Sequence, residues 1–233
     1  MSVPTSVGFG TQQSVTGAAT VAWPAAAVTG DYGILVVETA NQDVSLTTAN
    51  GFEALTSLIG QGTPGAAGAV GLKLFGCRAT SDAPASPVVA DAGDHMIVGI
   101  MAFRLVYPTA TPVIVGWDNT YTGTDPILPG GVTLVDDALV VGIIGHAVDA
   151  AGERVAGYTN ADLASITQID EGSGSSGVGG GYAAFYGTKL SKGAFGTSTA
   201  TVTGGTASAS IVLGLNSLVL PSDVGAKFGR GFN

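Results

Sequence analysis

An all-β chain, folded as a β-sandwich of jelly-roll type built from two similar halves, is what this sequence predicts. Three observations carry that expectation. First, segments recur in the same order. Asp31–Val37 (DYGILVV) matches Asp136–Val141 (DDALVV), Gly68–Gly76 (GAVGLKLFG) matches Gly179–Gly187 (GGGYAAFYG), and Val88–Val106 matches Thr201–Val219. The separation drifts only from 105 residues (31 to 136) to 113 (88 to 201). Second, helix signals are weak, because Gly, Thr, Val and Pro dominate and form helices poorly; glycine alone contributes 37 residues. Third, short apolar runs alternate with turn clusters such as Asn50–Gly51, Gly62–Gly68 and Ser81–Pro87, the pattern of a sandwich rather than of βαβ units.

In chain order the expected strands are Ala18–Trp23, Ile34–Thr39, Val70–Gly76, Met96–Tyr107, Val113–Trp117, Leu139–Ile144, Ile166–Ile169, Tyr182–Leu190, Ser198–Val202 and Ser208–Leu220. Alternation places Ile211, Leu213 and Leu215 on one face and Val212 and Gly214 on the other. Likewise Ile100, Ala102 and Arg104 oppose Met101, Phe103 and Leu105. Residues 1–14 read as an N-terminal arm and 15–220 as one sandwich domain. Its halves are about 15–107 and 132–220, joined by a loop segment, 108–131, that contains Pro108, Pro112, Pro126 and Pro129. Ser173–Gly181 (SGSSGVGGG) reads as a loop. Residues 221–233 form a tail with two basic and two aromatic side chains, Lys227, Phe228, Arg230 and Phe232, which reads either as a docking segment or as a frayed terminus.

Charged residues are 11% of the chain, against about 25% in ordinary soluble domains. So few charges leave two readings, a surface covered with hydroxyls and small residues or, as the charge depletion of interface cores favours, one largely covered by copies or neighbours. The net charge of −9, with eight Lys and Arg and no cluster of them, argues against nucleic-acid binding and against an anionic membrane surface. The N-terminus lacks a basic segment followed by an apolar stretch, so no secretory signal is expected. The longest apolar run, Met96–Val106, contains Arg104 and is too short to span a membrane as a helix. The single cysteine, Cys77, lies in an apolar run and reads as a buried, inert thiol.

No motif points firmly to chemistry. GSGSSG at Gly172–Gly177 fits a dinucleotide pattern, but no helix follows, and a loop is expected. His95 and His146 are not spaced as a ligand pair, and His146 near Asp149 is only a faint hint of a triad. Asp136–Asp137 precedes a strand as Asp31 does, which reads as a strand-entrance acid rather than a glycosidase pair. Asp118, Asn119 and Asp125 could offer loop oxygens to calcium, though turn chemistry explains them equally well. Trp23, Trp117 and Tyr121 could stack on sugars if exposed, but the two tryptophans are expected in the core. Accordingly no catalytic residue, cofactor or metal is expected.

The order of elements nevertheless resembles a known class. A G-D-led strand (Gly30–Val37), Asn50–Phe52, GAVGLKLFGCRAT, a Pro/Ser-rich turn, VGIMAFRLV and then DDALVVGIIG look like the jelly-roll-like sandwich modules of tail, fibre and head-decorating proteins of tailed bacteriophages. The resemblance covers about residues 15–220 and transfers no catalytic residue. It implies a virion structural protein, tail-, fibre- or baseplate-associated, assembled in the host cytoplasm. Its implied partners are copies of itself, as a homotrimer, other virion proteins and a host-surface glycan. Alternatives are a capsid decoration or head-fibre protein and, from other classes, a carbohydrate-binding module or a glycan-acting enzyme.

Overall fold

The computed structural model describes residues 3–106, 112–205 and 207–216. Residues 221–233, with the expected docking side chains Lys227, Phe228, Arg230 and Phe232, lie outside the described residues. Among the described residues every regular element is a strand, and every pairing between strands is antiparallel.

The first half supplies β1 (Thr5–Phe9), β2 (Gln13–Val15), β3 (Ala19–Thr20), β4 (Tyr32–Thr39), β5 (Leu46–Thr48), β6 (Glu53–Ala54), β7 (Ile59–Gln61), β8 (Val70–Arg78), β9 (Val88–Val89) and β10 (Met96–Arg104). The second half supplies β11 (Val113–Asp118), β12 (Ile127–Leu128), β13 (Gly131–Thr133), β14 (Ala138–His146), β15 (Val155–Thr159), β16 (Ala164–Gly174), β17 (Gly180–Lys189), β18 (Gly193–Phe195), β19 (Ser198–Val202) and β20 (Ser208–Leu215).

Each half builds one large and one small sheet with the same connectivity. The large sheets run β1-β10-β4-β8-β6, with β2 also on β10 and β7 on β8, and β11-β20-β14-β17-β16. Their small partners run β3-β9-β5 and β12-β19-β15. The internal match in the sequence is therefore a structural duplication: β4 answers to β14, β8 to β17, β9 to β19 and β10 to β20. The pairing is nested, with β1 on β10, β3 on β9 and β4 on β8 in one half, and β11 on β20, β12 on β19 and β14 on β17 in the other. The second half adds a two-stranded ladder, β13-β18.

The protein is thus a β-sandwich in four layers. The large sheets face each other across a central core of Ile34, Val36, Leu72, Leu74, Met101 and Phe103 from one half and Leu139, Val141, Ile143, Tyr182, Ile211 and Leu213 from the other. On its outer face each large sheet meets its own small sheet. Leu35, Val37, Val98 and Ile100 pack on Ala19, Trp23 and Val89. Val140, Ile144, Phe185 and Val212 pack on Leu128, Val155 and Val202. Covering both faces explains why β4, β14 and β20 are buried at every position and read as continuous apolar runs rather than strict alternation.

Register refines the sequence match. Ile34 pairs with Met101 and Gly76, and its counterpart Leu139 pairs with Leu215 and Thr188. Met101 therefore answers to Leu215 and Gly76 to Thr188, each one residue beyond the partner that sequence matching assigns (Gly214 and Gly187). In a strand a one-residue slip exchanges the two faces, and only the shifted alignment keeps inward residues inward.

Three segments differ from expectation. β1 and β2, in the stretch read as an arm, pair with β10 and complete the edge of the first sheet. The joining segment holds, besides the expected strand (β11, on β20), a further strand, β12, which pairs with β19. The Gly/Ser stretch read as a loop from Ser173 begins as the end of β16, whose Ser173 and Gly174 pair with Gly181 and Gly180. Glycine suits the strand there because Gly172 and Gly174 sit directly against the side chains of Gln12 and Ser14 of the facing edge.

Candidate functional site

Two places depart from the apolar rule of the core. One is buried between the halves and the other opens at their seam.

The buried place is built around β4 and β10. Glu38 continues the inward-facing series Ile34, Val36, and His95 directly precedes β10 on the face of Ile97. Both are essentially inaccessible to solvent. His95 Nε2 lies 3.1 Å from Glu38 Oε2. Gly180 of the second half closes over them, since a Cβ there would come within 2.6 Å of His95 Nε2 and 2.7 Å of Glu38 Oε1. Beside them Asp94 Oδ2 accepts the Val178 N–H at 3.2 Å, a direct tie between the halves. Burial pushes the Glu38 carboxyl up to about 7, opposed by its hydrogen bond to His95. Burial works against charge on His95, but the Glu38 hydrogen bond and the charges of Glu38, Asp94 and Asp149 outweigh it and raise its pKa. A proton is thus held between the two side chains, and the pair titrates as a unit. It is sealed from solvent beneath Gly180 of the second half.

His146 is also buried, and its Nδ1 accepts the Val148 N–H at 3.3 Å. Burial, and secondarily the Arg154 charge, pushes it down to about 4. Asp149 packs against Gly179 rather than hydrogen-bonding His146.

Elsewhere the acids have structural partners. Asp31 is buried and takes Arg104 in a two-point pair, Oδ1 from Nε at 2.9 Å and Oδ2 from Nη2 at 2.8 Å. Its counterpart Asp136 accepts the Lys192 N–H, so the strand-entrance acid secures a turn in both halves. Asp118 Oδ1 accepts from Thr120, and Asp125 Oδ1 from Thr201, while Asn119 donates to Gly60 O. The three do not converge, and among the described residues no cluster of three His, Cys, Asp or Glu could hold a metal. Cys77 is buried, and burial raises its pKa.

The aromatics separate. Trp23 is buried against Phe52, whereas Trp117 is 55% exposed. Tyr121 is half-buried, with its hydroxyl accepting the Asp125 N–H. Trp117, with Ile114 and Asn119, forms one wall of a groove of about 300 Å³ whose other wall is Leu55–Ile59, the connection from β6 to β7. Sequence reasoning missed this groove, because it depends on a β6–β7 interruption in one half facing an edge strand of the other. No protein-family profile, curated protein or solved structure matches the chain.

Proposed function

We propose that the chain is a non-enzymatic structural component of a bacteriophage virion. In this reading it is tail-, fibre- or baseplate-associated and assembles through its second half with copies of itself and with other virion proteins. One observation carries the reading: exposed large apolar side chains gather on that half. Among the described residues Val113, Trp117, Ile127, Val132, Leu134 and Leu190 belong to it, against Val28 alone in the first half. Leu134 (68% exposed) and Leu190 (60%) flank the same end of the added β13-β18 ladder, with Val132 (54%) on β13 itself. The segments are tied together by the Asp137 N–H to Leu190 O bond. Apolar side chains grouped in this way mark contact surfaces, and a chain with 11% charged residues has little else to solvate them. The nested strand pairing supports a jelly-roll winding for each half, a shape suited to repetitive packing.

Electron microscopy of phage particles labelled with an antibody against this chain tests the proposal. Label at the tail end is expected. Label over the head overturns the tail placement, and absence of label from both intact and disrupted particles overturns the virion reading.

A further inference from the structure

The two seams between the halves are equivalent by duplication, yet they are filled differently. By register Trp117, paired with Ile211, answers to Ser14, paired with Ile97. At the closed seam the unbroken strand β16 runs along β1 and β2, and Gln12 and Ser14 fill the space over Gly172 and Gly174. At the other, the strand that should cover Trp117 is broken into β6 and β7, and the intervening Leu55–Leu58 leaves the groove. Below it the seam is tightly fastened. Gln61 Nε2 donates to Tyr121 O and Ser208 O, and Asn119 Nδ2 donates to Gly60 O at 2.7 Å. The groove is therefore a fixed feature of the sandwich.

We propose that this groove binds a neutral saccharide unit, independently of where the protein sits on a particle. Its floor and walls offer what such a ligand needs: a flat aromatic side chain for the apolar face of a sugar ring, and fixed polar groups beside it. Trp117 supplies the first. The Asn119 amide donates to Gly60 O, which leaves its oxygen as an acceptor. Thr56 Oγ1 accepts the Leu74 N–H at 3.0 Å, which leaves its O–H as a donor, and Ser57 is exposed. None of the eight lining residues is charged. A phosphate, carboxylate or ammonium would lose its hydration there without gaining a counter-charge, whereas a ligand bearing only hydroxyls loses little. The volume sits at the lower end of the range for small-molecule sites, about 300–1,000 Å³, which suits one or two sugar rings.

The test is an array of neutral mono- and oligosaccharides ending in glucose, galactose, mannose or N-acetylglucosamine, probed with the full chain. Retained sugars are then titrated by tryptophan fluorescence. With two tryptophans in the chain and Trp23 buried, the expected saturable blue shift reports Trp117. Trp117→Ala removes the shift and weakens array binding roughly tenfold. Ser57→Phe, at an exposed position, blocks the groove and abolishes binding with unchanged thermal stability. Retention of no neutral saccharide, or binding that Ser57→Phe leaves intact, overturns the proposal.

Discussion

The two halves share one strand order but spend their inner and outer faces differently. In the first half the inward row carries a buried Glu38–His95 pair; at the equivalent positions the second half carries Ile143 and Ala209. Outside, among the described residues, the first half shows one exposed large apolar side chain, whereas the second shows six and an added ladder. Packing fixes the shared skeleton, because each large sheet must be covered on both sides. Departures from it are free to differ.

The largest test separates the halves. Each has an outer core of its own, yet each alone would expose Ile34, Val36, Leu72 and Phe103, or Leu139, Val141, Ile143 and Ile211. Met1–Val106 and Pro112–Asn233, which keep every strand with its own half, are each expected to lack a cooperative melt by circular dichroism. Such a melt from either fragment would break the shared-core account.

Next comes the polar exception. His95→Ala leaves Glu38 buried without its partner and should cost about 3–5 kcal/mol in denaturant unfolding. Glu38→Ile/His95→Ala, which installs the second half's residues, should recover much of that loss, because buried ion pairs are replaceable by apolar groups. If the double variant is no more stable than His95→Ala, the pair is not the isolated exception described here.

A smaller effect follows from titration. Glu38 and His95 both have raised pKa values in the fold. Their contribution is full below the unfolded values and is lost as pH rises, for Glu38 between about 4.5 and about 7. His146 has the opposite sign: its contribution is present above 6.5 and lost as pH falls toward about 4. Measured against wild type, Glu38→Gln should therefore gain relative stability as pH rises from 5 to 8, by about 1–3 kcal/mol. His146→Gln should gain it as pH falls from 7 to 4. A pH-independent difference in either case would contradict the assignment.

Much of the skeleton is legible in the sequence, because acid-led apolar strands recur in order and turn clusters separate them. The register of that repeat is not: β4, β14 and β20 are buried on both faces, so alternation gives no signal to fix a one-residue slip. Edge elements were also hidden. Thr5–Phe9 and Gln13–Val15 are short and only partly buried, and Gly172–Gly174 looks like a loop until Gln12 and Ser14 are seen to lie against its two glycines. Exposure of Trp117 is a tertiary property, as Trp23 shows by being buried in an equally apolar context. Asp31 and Asp136 were readable as strand-entrance acids, although the exposed Arg104 that pairs with the buried Asp31 lies 73 residues away.

The central claim is that the second half is the contact half, and sedimentation velocity tests it most directly. Wild type is expected to sediment as a homotrimer. Leu134→Glu/Leu190→Glu, at positions 68% and 60% exposed, should sediment as a monomer with an unchanged melting temperature. A wild-type monomer, or a variant that remains trimeric, would contradict the claim.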